Sequence, residues 1–305
     1  MAKNDHLTKK QTTFKTKNTS IKIGALNCHG ILDKLDCPHV IDLISENDIF
    51  GVSETWLQEK DKIKIPGFKF YPLHRKIDKR GGIGLFVREN LRQSIKIRYD
   101  ISSENVLWCK LDRKDFGYKE DVYIGNVYIP PECSSREQRL RLDHYKKLLE
   151  TTSNIKSRNI ILIGDFNART STTKDTLNKS KHEDDTVPDF YSQINSIRNN
   201  QDKAVNNYGN NLIDYCIATR SYIANGRTLG DLRGKFTCHQ PSGSSTVDYA
   251  IISENMKNLV KYFKVLDPNT GSDHSAIQLE INCPRYQIQS KTEGIMGQPP
   301  PLPHI

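Results

Sequence analysis

The chain has 305 residues, 36% hydrophobic and 27% charged, enough to bury a full core as one large domain or two small ones. No apolar run approaches the roughly 20 residues that cross a bilayer, and no apolar stretch near the N-terminus resembles a signal peptide, which argues against secretion. The net charge is +9, and six lysines against one aspartate in residues 1–22 supply +5 of it, leaving about +4 on the body. That is a mild bias toward a polyanionic partner and does not by itself specify nucleic acid. Seven cysteines, odd in number and never spaced CxxC, point to reduced thiols in a nuclear or cytoplasmic protein and against a structural zinc site.

Residues 1–20 are polar, rich in Lys and Thr, and read as a disordered solvated arm. Ile21 to Asn27 alternates as a first strand. Val40, Ile41 and Ile44 give Cys37–Glu46 a helical spacing, and Asp48–Trp56 is a second strand running into Glu54. Strand, helix, strand is the parallel crossover pattern. The middle third changes character. Short strand-like runs at Phe68–Leu73, Gly82–Val87, Ser94–Tyr99, Val106–Leu111 and Val122–Ile129 are separated by turn residues. Gly81-Gly82 and Asp115-Phe116-Gly117 mark hairpins or bends, so antiparallel neighbours are expected. Pro130-Pro131 stops the last of these strands, and Ser135–Thr151 reads as a helix with Leu140, Tyr145, Leu148 and Leu149 on one face.

Asn159 to Ile163 is a branched apolar run ending at Gly164, followed by Asp165-Phe166-Asn167. It reads as a strand buried on both faces that turns at the glycine. In extended chain, Asp165 and Asn167 leave on the same side. Thr170–Asn207 is polar and lacks sustained periodicity except around Phe190–Ile197, as expected of a partly flexible insertion. Tyr208–Ala218 is a helix, and Lys235–Cys238, Thr246–Ile252, Val260–Leu266 and Ala276–Ile281 are further strands. The proline-rich end, with Pro299, Pro300, Pro301 and Pro303, reads as extended and unpacked.

Polar residues recur at or beside the strand ends: Asn27, Glu54, Tyr128, Asp165, Asn167, Asp248 and the trio Ser272-Asp273-His274. Ligands of crossover sheets gather at such ends. Most of these residues have ordinary structural roles open to them, and so do His29, His39, His74, His144 and His239. Asp248 is more diagnostic, because a carboxylate in an apolar strand needs a partner to offset desolvation. His274 is set apart by the company of Asp273 and Asp248.

The segments Leu26-Asn27, Ser53-Glu54-Thr55-Trp56, Asn126-Val127-Tyr128, Gly164-Asp165-Phe166-Asn167, Val247-Asp248-Tyr249 and Ser272-Asp273-His274 resemble the motif series of the endonuclease/exonuclease/phosphatase superfamily. The resemblance spans roughly residues 21–283. Within that group the chain looks most like the endonuclease domain of non-LTR (LINE-type) retrotransposons, on Gly81-Gly82-Ile83-Gly84, Val127-Tyr128-Ile129-Pro130-Pro131, Asn207-Tyr208-Gly209, Asn225-Gly226 and Lys235-Phe236-Thr237. Ser275-Ala276 after the histidine departs from many relatives. The resemblance implies a four-layered α/β sandwich, two mixed β-sheets packed face to face with helices outside; the mixture of crossovers and hairpins fits that layout independently. It divides the chain into a basic tail (1–20), a catalytic domain (21–283) and a proline-rich tail (284–305).

The implied activity is Mg²⁺-dependent phosphodiester hydrolysis, with Mn²⁺ as a substitute and DNA as the partner nicked on one strand. Glu54 is the expected Mg²⁺ ligand with Asn27 and Asp273 nearby, few protein ligands being needed because Mg²⁺ keeps waters and phosphate oxygens. Asp248 would hold the His274 ring and favour its charged form. Asp165 is the expected acceptor of the water proton, although sequence leaves open whether it or His274 is the formal base. Asn167 and Tyr128 would donate to phosphate oxygens, and Thr237, Arg169 and Ser272 would contact substrate. Two alternatives remain: a phosphatase or phosphodiesterase acting on phosphoinositides, sphingomyelin or RNA, and a non-catalytic nucleic-acid-binding module. About 20 residues follow position 285, short of the roughly 100 of a typical further domain. No reverse transcriptase is therefore expected here, and a truncated element, a fragment and a domesticated domain all fit.

Overall fold

A computed structural model describes residues 20–75, 81–132, 143–176, 196–268 and 270–284. The expected arm at 1–19, the start of the Ser135–Thr151 helix, most of the Phe190–Ile197 stretch and the proline-rich end lie outside the described residues.

The first strand, β1 (Ser20–Asn27), leads into α1 (Pro38–Ser45), which opens on a proline whose missing N–H costs nothing at a helix start. Val40, Leu43 and Ile44 form its buried face, and the chain returns as β2 (Ile49–Ser53), parallel to β1 with Asn27 beside Ser53. β3 (Phe68–Leu73) and β4 (Ile83–Arg88) form the antiparallel hairpin expected at Gly81-Gly82. β5 (Ile95–Ile97), β6 (Val106–Leu111) and β7 (Val122–Tyr128) follow, with the single turn α2 (Arg113–Phe116) closing on Gly117 between the last two. A second crossover runs through α3 (His144–Asn154) to β8 (Asn159–Asp165), parallel to β7 with Tyr128 beside Asp165. Helix α4 (Asn207–Thr219) then leads to β9 (Ser221–Ile223). The short hairpin of β10 (Cys238–Gln240) and β11 (Gly243–Ser245) precedes β12 (Asp248–Ser253), β13 (Val260–Val265) and β14 (Ile277–Asn282).

The long strands assemble into two six-stranded mixed sheets, ordered β13-β14-β1-β2-β4-β3 and β5-β6-β7-β8-β12-β9. A core of Ile, Leu and Val, including Ile23, Ile49, Leu85, Ile124, Ile163 and Leu279, lies between them. Helix α1 covers the outer face of the first sheet through Ile44, Phe50 and Phe86. Helices α3 and α4 cover the second through Tyr145, Leu148, Leu212 and Cys216. The molecule is therefore the expected four-layered α/β sandwich.

One close approach locks the sheets in register. Asn126 of β7 donates its side-chain amide to the carbonyls of Val52 and Gly84 on the opposite sheet, each at 3.1 Å. A Cβ on Gly51 would stand 2.3 Å from the Asn126 Oδ1, so only glycine admits this amide.

Two expectations need correction. β8 does not turn at Gly164 but continues through it to Asp165, with Gly164 at φ +137° and so close to β7 that a Cβ would sit 2.2 Å from the Val127 carbonyl oxygen. Lys235–Thr237 is irregular and regular pairing begins at Cys238, while the Thr237 hydroxyl accepts the amides of Val247 and Asp248. Within Thr170–Asn207 the described parts are packed: Thr170 bridges Val205, and Arg198, Asn200 and Asp202 are buried.

Candidate active site

Inward-facing residues of β1 and β8 are apolar until the last one, and β7 ends in two polar ones. Ile21, Ile23 and Ala25 precede Asn27; Ile161 and Ile163 precede Asp165; Ile124 precedes Asn126 and Tyr128. β12 runs the other way, so Asp248 comes first and Ala250 and Ile252 follow. Period-two alternation thus delivers polar side chains of β1, β7, β8 and β12 to the same edge of the inter-sheet layer.

The Asn27 side-chain amide donates to Glu54 Oε1 at 2.9 Å and to Asp165 Oδ2 at 3.0 Å, bridging the two sheets. The Tyr128 hydroxyl donates to the same Glu54 oxygen at 3.1 Å. Glu54 Oε2 is left toward the rim, 3.7 Å from His29 Nδ1. Asn167 donates its backbone N–H to Asp165 Oδ1 at 2.9 Å, and its side-chain amide donates to Asp165 Oδ2 at 3.2 Å and to the Ile129 carbonyl at 2.8 Å. His29, Glu54 and Asn167 all have left-handed backbone, at φ 46°, 50° and 47°. Such conformations in non-glycine residues cost of order 1–3 kcal/mol and gather at functional sites.

Asp248 stands directly opposite Asp165 on the neighbouring strand. Burial pushes the Asp165 carboxyl up, the Asp248 carboxylate adds to this, and His274 and the amides of Asn167 and Asn27 oppose it; the outcome is a pKa raised to about 7. Asp248 Oδ2 holds His274 Nδ1 at 2.9 Å. Burial alone would lower the imidazole pKa, but Asp248 outweighs it and the ring is held well above its ordinary range. Burial, with Glu54 and Asp165 alongside, likewise raises the Tyr128 hydroxyl, keeping it a donor.

The structure therefore brings together Asn27, Glu54, Tyr128, Asp165, Asn167, Asp248 and His274. The remaining expected residues are placed differently. Asp273 accepts from Gln240 at 3.1 Å and lies with Cys238 and His274 rather than against Glu54. Ser272 donates to the Asn27 carbonyl at 2.6 Å and accepts the His274 amide at 3.1 Å, tying the histidine loop to the end of β1. Thr237 is fully buried behind Asp248, accepting the amides of Val247 and Asp248 at 3.0 Å. Arg169 is engaged by Asp202 through two hydrogen bonds of 2.8 and 2.6 Å. Two rim groups were passed over in the sequence. His29 packs edge-on to Trp56 with ring centroids 4.5 Å apart, and the Arg75 guanidinium lies 5.5 Å from the Tyr128 ring centre. His29 had a visible signal, its place two residues after Asn27; Arg75 had none.

Hard oxygen donors and an excess of carboxylates over cations suit a divalent metal. Glu54 fits best, since Oε1 is fixed by two donors and Oε2 is free of a strong hydrogen bond. Asn27, with its NH₂ between two carboxylates, orients Glu54 and Asp165.

Residues 25–274 match the model of the endonuclease/exonuclease/phosphatase family. No curated protein matches the chain. Among solved structures, the endonuclease domain of TRAS1, a telomere-specific non-LTR retrotransposon, is 13% identical with a TM-score of 0.57, covering 87% of this chain and 100% of that one. A 3′-5′ exonuclease from Neisseria meningitidis is 14% identical at 0.58, covering 86% and 100%. The AP endonuclease LMAP from Leishmania major is 13% identical at 0.64, covering 87% and 89%.

Proposed function

The chain belongs to the endonuclease/exonuclease/phosphatase family, and from that premise we propose that it is a Mg²⁺-dependent DNA endonuclease that nicks one strand, of the non-LTR retrotransposon kind. The observation that carries this is the Asn27 amide joining Glu54 of one sheet to Asp165 of the other, with Asp165 facing the Asp248–His274 pair. Support for DNA comes from the basic balance of the chain and from structurally similar proteins described as a retrotransposon endonuclease domain, an AP endonuclease and a Neisseria 3′ phosphatase bound to a product DNA hairpin.

Glu54 would hold Mg²⁺, which when bound supplies neutralisation of the phosphoryl charge. Asp165, with its carboxyl poised near 7, takes the proton of the attacking water close to neutral pH. His274, kept charged by Asp248, donates from Nε2 to a phosphoryl oxygen, and Tyr128 and Asn167 add neutral donors as charge builds.

The test is nicking of supercoiled plasmid with Mg²⁺, with EDTA, and with His274→Ala and Glu54→Ala. Nicking is expected to need the metal and both side chains. Activity that persists in EDTA or in either variant overturns the assignment, and turnover of an inositol phosphate without DNA cleavage moves the protein to another substrate class.

A further inference from the structure

We propose that Cys238, Asp273 and His274 form a second metal site, chosen by a thiophilic divalent cation such as Zn²⁺, whose occupation removes the His274 imidazole from catalysis. A sulfur, a nitrogen and a carboxylate oxygen from these residues all lie within 4.8 Å of one another. Zinc takes that donor set, whereas Mg²⁺ prefers oxygen alone. No CxxC spacing announces the site, because tertiary pairing builds it.

That pairing is specific. Cys238 of β10 is bridged antiparallel to His274. The flanking bonds run from the His239 amide to the Asp273 carbonyl and from the Ser275 amide to the Thr237 carbonyl, each at 2.7 Å. Cys238 and His274 are therefore a non-hydrogen-bonded pair, the arrangement in which facing side chains approach most closely. Two of the three ligands already have the outer partners that metal ligands commonly have. Asp248 occupies His274 Nδ1 at 2.9 Å and leaves Nε2 as the donor, while Gln240 Nε2 donates to one oxygen of Asp273 at 3.1 Å. Binding displaces the thiol proton and the proton on Nε2 to solvent, and the metal takes the lone pairs they release. An open fourth position remains for water.

The inhibitory consequence rests on the nuclease assignment; the metal site does not. Full-length protein is titrated with Co²⁺ and followed by absorbance, then nicking is measured in excess Mg²⁺ against added Zn²⁺. Wild type is expected to show a thiolate-to-cobalt charge-transfer band at one equivalent, erased by Zn²⁺ and absent from a folded Cys238→Ser. Relative to its own zinc-free rate, that variant should need at least about tenfold more Zn²⁺ for half inhibition, the scale set by losing one ligand of a site. A folded wild type without the band, or equal zinc sensitivity in both proteins, overturns the proposal. The band without any Mg²⁺-dependent nicking keeps the metal site and overturns the nuclease assignment instead.

Discussion

At the level of single residues, each reactive group is held by a neighbour that sets its charge. In Asp248→Asn the ring loses its anionic partner, so its pKa falls toward the ordinary imidazole value near 6.5. The variant should nick roughly 10²–10⁴-fold more slowly at pH 7.5; wild type should gain rate as pH rises to about 7 and Asp165 ionises, whereas the variant's residual rate should decline above about 6–7 as its ring loses the proton. A pH–rate profile of both proteins checks this. Thr237→Val leaves two buried amides unaccepted. It should cost about 1–3 kcal/mol, read as a lower Tm, and slow nicking through displacement of Asp248. An unchanged Tm would remove Thr237 from its assigned place.

Among elements, the two parallel crossovers matter most, because β1, β2, β7 and β8 all deliver their C-terminal ends to one edge. Their mutual register depends on Asn126 reaching across to Val52 and Gly84 over Gly51. Gly51→Ala should therefore destabilise the wild type, and should cost less where Asn126 is already alanine. A denaturant double-mutant cycle is expected to return a coupling energy of about 0.5–3 kcal/mol. Additive effects would mean that the amide does not lie against the glycine.

For the molecule as a whole, the site stores destabilisation. Asp165 has a raised carboxyl pKa in the fold. Its ionisation therefore opposes folding, with stability lost as pH climbs from the ordinary carboxylate value near 4 to about 7 and no further loss above. Asp165→Asn should melt higher than wild type at pH 8 without divalent metal, and the gain should vanish near pH 4. Mg²⁺ at pH 8 should raise the wild-type Tm by mass action, and should do so much less in Glu54→Ala. Scanning calorimetry at the two pH values separates these effects.

Much of this was legible in the chain itself. Alternation and apolar runs located β3 and β6 to the residue and helices α1 and α4 to within a turn, because burial on a pleated or helical face forces those periods. The polar residues that interrupt those runs named Asn27, Glu54, Asp165, Asp248 and His274, since no buried strand keeps a carboxylate without a partner. Tertiary structure alone decided the rest. That the Thr237 hydroxyl accepts Asp248's backbone amide and that Arg169 pairs with Asp202 has no trace in the local sequence. β9 was missed because three residues are too short to show a period. Which strand end faces which, and hence that Asp165 opposes Asp248 while Cys238 opposes His274, depends on long-range register. Local sequence carries no record of that register, because hydrogen bonds between distant strands set it.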